Sequence, residues 1–132
     1  MRPHGNGILE TCLYLDDVAR SVRFYEQVFG FEKVGDLQQR GCAMQAGVNQ
    51  LLLLFKKGAS REFKSPHDGK GELHVAFAIA DADHAAWKCW LEENSIEIEE
   101  ERTWDGGGRS IYFRDPDRHL IEVATPGTWP VY

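Results

Sequence analysis

No apolar run in this 132-residue chain approaches the roughly 20 residues of a membrane span, and Leu51 to Phe55 falls far short of it. No predicted element carries a cluster of Lys and Arg. With 15 basic residues against 21 acidic ones the net charge is −6, which argues against nucleic acid as a partner. Cysteine is sparse: Cys12, Cys42 and Cys89 are an odd number, widely spaced and without a CxxC pair. Neither a disulfide framework nor a structural zinc site is therefore expected, and the thiols read as reduced, buried small hydrophobes. Met1-Arg2-Pro3-His4-Gly5 has no apolar stretch behind its positive charge, so no signal peptide is expected and the cytoplasm is the expected location. Nor is the chain depleted in core formers. Its 42% hydrophobic and 27% charged content is that of one globular domain, not of a disordered segment.

What is present falls into two similar halves. Residues 8–15 alternate, with Leu9, Thr11, Leu13 and Leu15 on one face of a strand and Glu10, Cys12 and Tyr14 on the other. Asp16 and Asp17 then cap a helix whose apolar stripe is Val18, Val22, Tyr25 and Phe29, with Gly30 ending it. Three strands are expected near 31–37, 40–46 and 49–56. Residues 57–71 are polar, contain Gly, Ser and Pro, and are locally basic; they read as a linker, with a lid over an anionic substrate as the second reading. The pattern then recurs. Leu73 to Ala80 form a strand running into Asp81, a helix follows through Trp87, Trp90 and Leu91, and strands are expected near 96–103, 109–114 and 119–125.

Glu10 and His74 lie 64 residues apart, and so do the capping residues Asp17 and Asp81. Each half reads β-α-β-β-β and is too short to bury much surface alone. The expected fold is α+β within a single domain, 1–132. Module one covers about 8–56 and module two about 72–125, and the two form a curved mixed sheet around a concave cavity with the helices outside. Glu10 and His74 should then face the interior.

The segments Leu13-Tyr14-Leu15-Asp16-Asp17, Ser21-Val22-Arg23-Phe24-Tyr25 and Phe29-Gly30-Phe31 resemble the vicinal oxygen chelate superfamily. So do Leu73-His74-Val75-Ala76-Phe77 and Tyr112-Phe113-Arg114-Asp115-Pro116-Asp117 running into Ile121-Glu122-Val123. That superfamily includes glyoxalase I, fosfomycin-resistance proteins, extradiol dioxygenases and bleomycin-resistance proteins. The resemblance implies paired βαβββ modules, a homodimer, and a metal held from the first and last strands of each module. The matching positions here are Glu10, Leu52, His74 and Glu122. Glu10 departs from the usual His or Gln, and Leu52 cannot bind a metal, so three ligands remain.

Two carboxylates and a neutral imidazole bring a divalent cation to zero net charge. Such a set suits Mn, Ni, Zn, Co or Fe and leaves up to three positions for water or for two neighbouring oxygens of a small-molecule substrate. For His74 alone, a hydrogen-bonded core histidine is the ordinary alternative. Two carboxylates buried near each other without a cation would be costly. Cys12, Tyr14 and Leu52 are expected in the substrate pocket, and Glu122 doubles as a candidate base. The expected function is a metal-dependent small-molecule enzyme, with lyase, isomerase or addition chemistry favoured over ring cleavage. The competing reading is a metal-free, bleomycin-resistance-like binding protein. No phosphonate-binding cationic set is evident. His4, His67 and His84 show no ligand spacing, His119 is expected at the surface, Gly106-Gly107-Gly108 as a hairpin loop, and the Glu97–Glu101 run as a solvated edge.

Overall fold

Alternation in β1 (Glu10–Leu15) buries Leu13 and Leu15 on one face. Asp17 then caps α1 (Val18–Phe29), its side chain accepting the Arg20 N–H at 3.1 Å. Gly30 closes the helix in the left-handed conformation, φ 68°, where a residue without Cβ is unstrained. The buried stripe differs from the expected one: it is Ser21, Tyr25 and Val28, while Val18, Val22 and Phe29 stay partly exposed. The cause is the aromatic cluster around Tyr25, which stacks on Phe29 and Phe31 and meets Phe24 edge-on. Centring the helix on Tyr25 turns Val28 inward. Leu9 also departs from expectation, lying before the strand and 61% exposed.

Strands β2 (Glu32–Asp36), β3 (Gly41–Gly47) and β4 (Gln50–Lys56) complete a four-stranded sheet of order β1-β4-β3-β2. β1 pairs with β4 in parallel and the others are antiparallel. The second half repeats the plan. Its elements are β5 (His74–Ala78), α2 (His84–Glu93), β6 (Ile98–Thr103), β7 (Arg109–Arg114) and β8 (Leu120–Ala124), in the order β5-β8-β7-β6. The computed structural model describes residues 1–132 and divides into two units, Met1–Lys70 and Gly71–Tyr132. The α+β class and the paired βαβββ plan are thus as expected.

Asp81 does not cap α2 by its side chain. It opens a 3₁₀ turn, Asp81–Asp83, and its carboxylate pairs with Arg109 at 2.8 Å. The glycine triplet does make a hairpin: Trp104 N–H donates to the Gly108 carbonyl and Gly107 N–H to that of Trp104. β6, with its exposed glutamates, is an outer strand. No helix is long and apolar enough to cross a membrane.

Residues 57–70 are not a free linker. They fold onto the face of the first sheet that carries Tyr14 and Phe55. The Tyr14 hydroxyl meets His67 Nδ1 at 2.7 Å, and the His67 ring stands edge-on to Phe55. Asp68 accepts from Gly58 N–H and Arg61 Nε, which together hold its carboxyl below the usual range. Arg40 bonds the buried Ser60 and lies over Phe63. Gly69 packs so closely on the Tyr14 ring that a Cβ there would overlap it. Gly69→Ala should therefore lift the segment off Tyr14 at a cost of about 1–2 kcal/mol. Hydrogen exchange and limited proteolysis across 57–70 should both accelerate, and unchanged rates would refute this packing.

Candidate metal centre

A parallel ladder places paired residues on the same face. His74 pairs with Leu120, Ala76 with Glu122, and Tyr112 with Glu122. One face of the second sheet thus carries His74, Glu122, Ser110 and Tyr112. The other face carries Ile111, Phe113, Ile121 and Val123, all of them 0% exposed. That apolar face anchors β7 and β8, so the polar face is presented by a rigid support.

His74 and Glu122 come together, with Nε2 and Oε2 3.2 Å apart. The imidazole is held through Nδ1, 2.8 Å from the Leu120 carbonyl. A carbonyl oxygen only accepts, so Nδ1 carries the hydrogen. The second carboxylate oxygen of Glu122 accepts from Ser110 Oγ at 2.5 Å, and Ser110 in turn accepts from Trp104 Nε1 at 2.8 Å. This chain leaves Oε2 directed at His74. His74 remains half exposed while Glu122 is buried. The Tyr112 ring stacks near His74 at 6.3 Å, and burial, then the Glu122 charge, pushes its phenol above the ordinary value.

The remaining assigned residues lie in module one. Glu10 occupies the exposed start of β1, on the same face as Cys12 and Tyr14. Burial and the Glu10 carboxylate raise the Cys12 thiol above its ordinary value. Cys12 and Tyr14 pack against Ala43, Leu53 and Phe55. Leu52 requires correction. It pairs with Thr11, on the face of Leu13, and is 1% exposed, so it belongs to the core beneath the sheet. The counterpart of Glu122 is Leu53, because Cys12 pairs with Leu53 as Ala76 pairs with Glu122. A parallel pairing cannot be read from a run of four leucines, in which every register is equally apolar. A cavity of about 360 Å³ opens on the ladder of Glu10, lined by Leu51, Gln45, Leu9, Val34 and Asn49. No group of three His, Cys, Asp or Glu side chains forms a metal cluster within either module.

Sequence reasoning missed Ser110, Trp104 and Arg102. The serine was visible only as one residue of a strand, but its position opposite Ala124 puts it beside Glu122. Arg102 pairs with Ser110 across β6 and β7. Its guanidinium lies 4.9 Å from the Trp104 ring centroid and 5.9 Å from that of Tyr112, and it pairs with Glu100 at 2.7 Å. One cation, held by Glu100, thus stands on the face of Glu122. His119 is also corrected: it is 1% exposed, not a surface residue.

The Glyoxalase/Bleomycin resistance protein/Dioxygenase superfamily profile matches residues 7–123. The chain belongs to that superfamily. Among its relatives, metallothiol transferase FosB of Staphylococcus epidermidis is 30% identical over 120 residues, covering 90% of this chain and 83% of FosB. The crystal structure of lactoylglutathione lyase from Agrobacterium tumefaciens superposes with a TM-score of 0.88. It is 32% identical, over 96% of this chain and 98% of that one. A variant of the fosfomycin resistance protein FosX from Listeria monocytogenes, complexed with Mn(II) and 1S,2S-dihydroxypropylphosphonic acid, shares the fold. Its TM-score is 0.69 at 22% identity, over 91% of this chain and 90% of that one.

Proposed function

We propose that this protein is a divalent-metal enzyme acting on a small substrate with two vicinal oxygens, by lyase, isomerase or addition chemistry, with Glu10, His74 and Glu122 as metal ligands. One observation carries the reading. With Nδ1 committed to Leu120, the Nε2 lone pair of a neutral His74 faces the Glu122 carboxylate at 3.2 Å. A proton on Nε2 joins these two groups as an ordinary ion pair, and a metal cation shared by both donors joins them equally well; the second is the reading taken here. His74 and Glu122 would hold the metal through Nε2 and Oε2, an imidazole nitrogen and a carboxylate oxygen that both suit a divalent cation, with Glu10 assigned as the third ligand.

When bound, the metal would act as a Lewis acid on two vicinal substrate oxygens. The other roles fall to residues of this chain. Ser110 holds Oε1 of Glu122, so that the carboxylate presents Oε2 and keeps its rotamer. Arg102, paired with Glu100 and lying beside the Trp104 and Tyr112 rings, would offer a hydrogen-bond donor to a substrate oxygen on this face. The Tyr112 phenol, kept protonated, is a donor for a substrate oxygen. Cys12 and Tyr14, on the strand face of Glu10, are assigned to the substrate pocket. Glu122 is the candidate base. The names of the relatives, a metallothiol transferase and a lyase, support metal chemistry. The enzyme is taken to be a cytoplasmic homodimer.

Elemental analysis of untagged, dialysed protein tests this reading, alongside Glu10→Ala and His74→Ala. The expected result is one equivalent of a transition metal per site in the wild type, lost in His74→Ala and sharply reduced in Glu10→Ala. A wild type without metal, and without thermal stabilisation on adding Mn, Ni, Zn, Co or Fe, would overturn it. Full occupancy in Glu10→Ala would remove Glu10 from the ligand set.

A further inference from the structure

We propose that His119, built into the turn that begins at Asp115, is a positioning residue that sets the imidazole of His74. The inference rests on the assignment of His74 as a ligand and adds what orients it. His74 is 48% exposed along its side chain, so packing alone cannot select its ring orientation. Its Nδ1 is bonded to the carbonyl of Leu120, the residue after His119.

His119 connects that acceptor to the backbone of His74. Its Nδ1 accepts the N–H of Leu73 at 2.9 Å, while the N–H of Leu120 donates to the carbonyl of Leu73 at 2.8 Å. The imidazole thus adds a rung to the β5–β8 ladder one residue before β5 begins, where the backbone offers no acceptor. Without it the Leu73 N–H would lose its partner. Leu73 and Leu120 are thereby held in one frame, and the bond from His74 closes it.

The frame is anchored from beneath. Asp115, 4% exposed, accepts from the N–H groups of Asp117 and His119 through Oδ1, and its own N–H donates to the His119 carbonyl at 3.1 Å. Arg118 takes φ 65° within this turn, a left-handed conformation that a non-glycine residue adopts at a cost. A buried imidazole and a buried carboxylate around a strained turn go beyond what a surface connection needs. Their shared effect is to place Leu73 and Leu120.

The test compares His119→Asn, His119→Gln and His119→Ala in the full chain. Asn carries its amide oxygen where His carries Nδ1 and can accept from Leu73, whereas Gln is one methylene too long. Mn(II) affinity is measured by titration calorimetry, and the tautomer of His74 by long-range ¹H–¹⁵N NMR of the metal-free protein. Loss of an outer-shell partner typically weakens a metal site about 10–100-fold. That loss is expected for Ala and Gln, with Asn within about threefold of wild type. The His74 ring should stay in the Nδ1–H form in wild type and Asn, and average between tautomers in Ala and Gln.

Wild-type affinity and tautomer in His119→Gln would overturn the proposal, as would equal losses in Asn and Gln. Should His119→Ala fail to fold, the Asn–Gln comparison decides alone. Should the wild type bind no Mn(II), the metal assignment falls, and the NMR comparison still decides whether His119 orients His74.

Discussion

Replacing Glu122 by Gln should lower Mn(II) affinity by more than about 100-fold, beyond the effect of outer-shell losses, while leaving the fold intact. The two consequences separate because the carboxylate has two different partners. Oε1 accepts from Ser110, and an amide oxygen can accept the same bond. Oε2 faces Nε2 of His74, where an amide nitrogen can donate to the imidazole lone pair. The substitution thus keeps the Ser110 and His74 contacts and removes the negative charge. Since Glu122 is buried, a variant that broke its bonds would confuse loss of charge with loss of structure. Stability should change by about 1 kcal/mol or less. Calorimetric titration and a thermal melt on the same sample check both halves. Unchanged affinity would exclude Glu122 as a ligand, whereas lost affinity with a collapsed melt would show that its role is structural.

Tyr25→Ala should cost about 3–5 kcal/mol, the largest single loss expected in module one. The ring is fully buried and lies among Phe24, Phe29 and Phe31, so its removal leaves a cavity that stiff neighbouring rings cannot collapse to fill. Net stabilities are only about 5–15 kcal/mol, and such a loss would leave the variant marginal. Urea unfolding followed by near-ultraviolet circular dichroism measures it. A loss below about 1 kcal/mol would mean that α1 is not fastened to its sheet through this residue.

Glu10 and His74 show how far sequence pattern carries. Period-two alternation located β1 and β5, and the 64-residue offset between Glu10 and His74 placed them at equivalent positions of repeated strands. Both signals are local and survive in the structure. The stripe of α1 was misplaced because spacing alone does not tell which apolar residue the neighbouring elements seat. Phe31, beyond the helix, stacks on Tyr25 and settles it. Residues 57–71 looked like a linker because their polar composition says nothing of His67 reaching Tyr14.

Sequence by itself determined the two-module plan and the strand-to-helix capping at Asp17, because periodicity and caps act over a few residues at a time, while Glu10, His74 and Glu122 entered as candidate ligands through the family resemblance. Tertiary structure alone decided which of those residues meet. His74 and Glu122 lie on adjacent parallel strands, and Ser110, Trp104 and His119 reach them across strand pairings that no local pattern encodes. The register of Leu53 against Cys12 had the same origin: hydrogen-bonded neighbours in a sheet are close in space and far apart in sequence, and in an all-leucine run only the pairing itself distinguishes one face from the other.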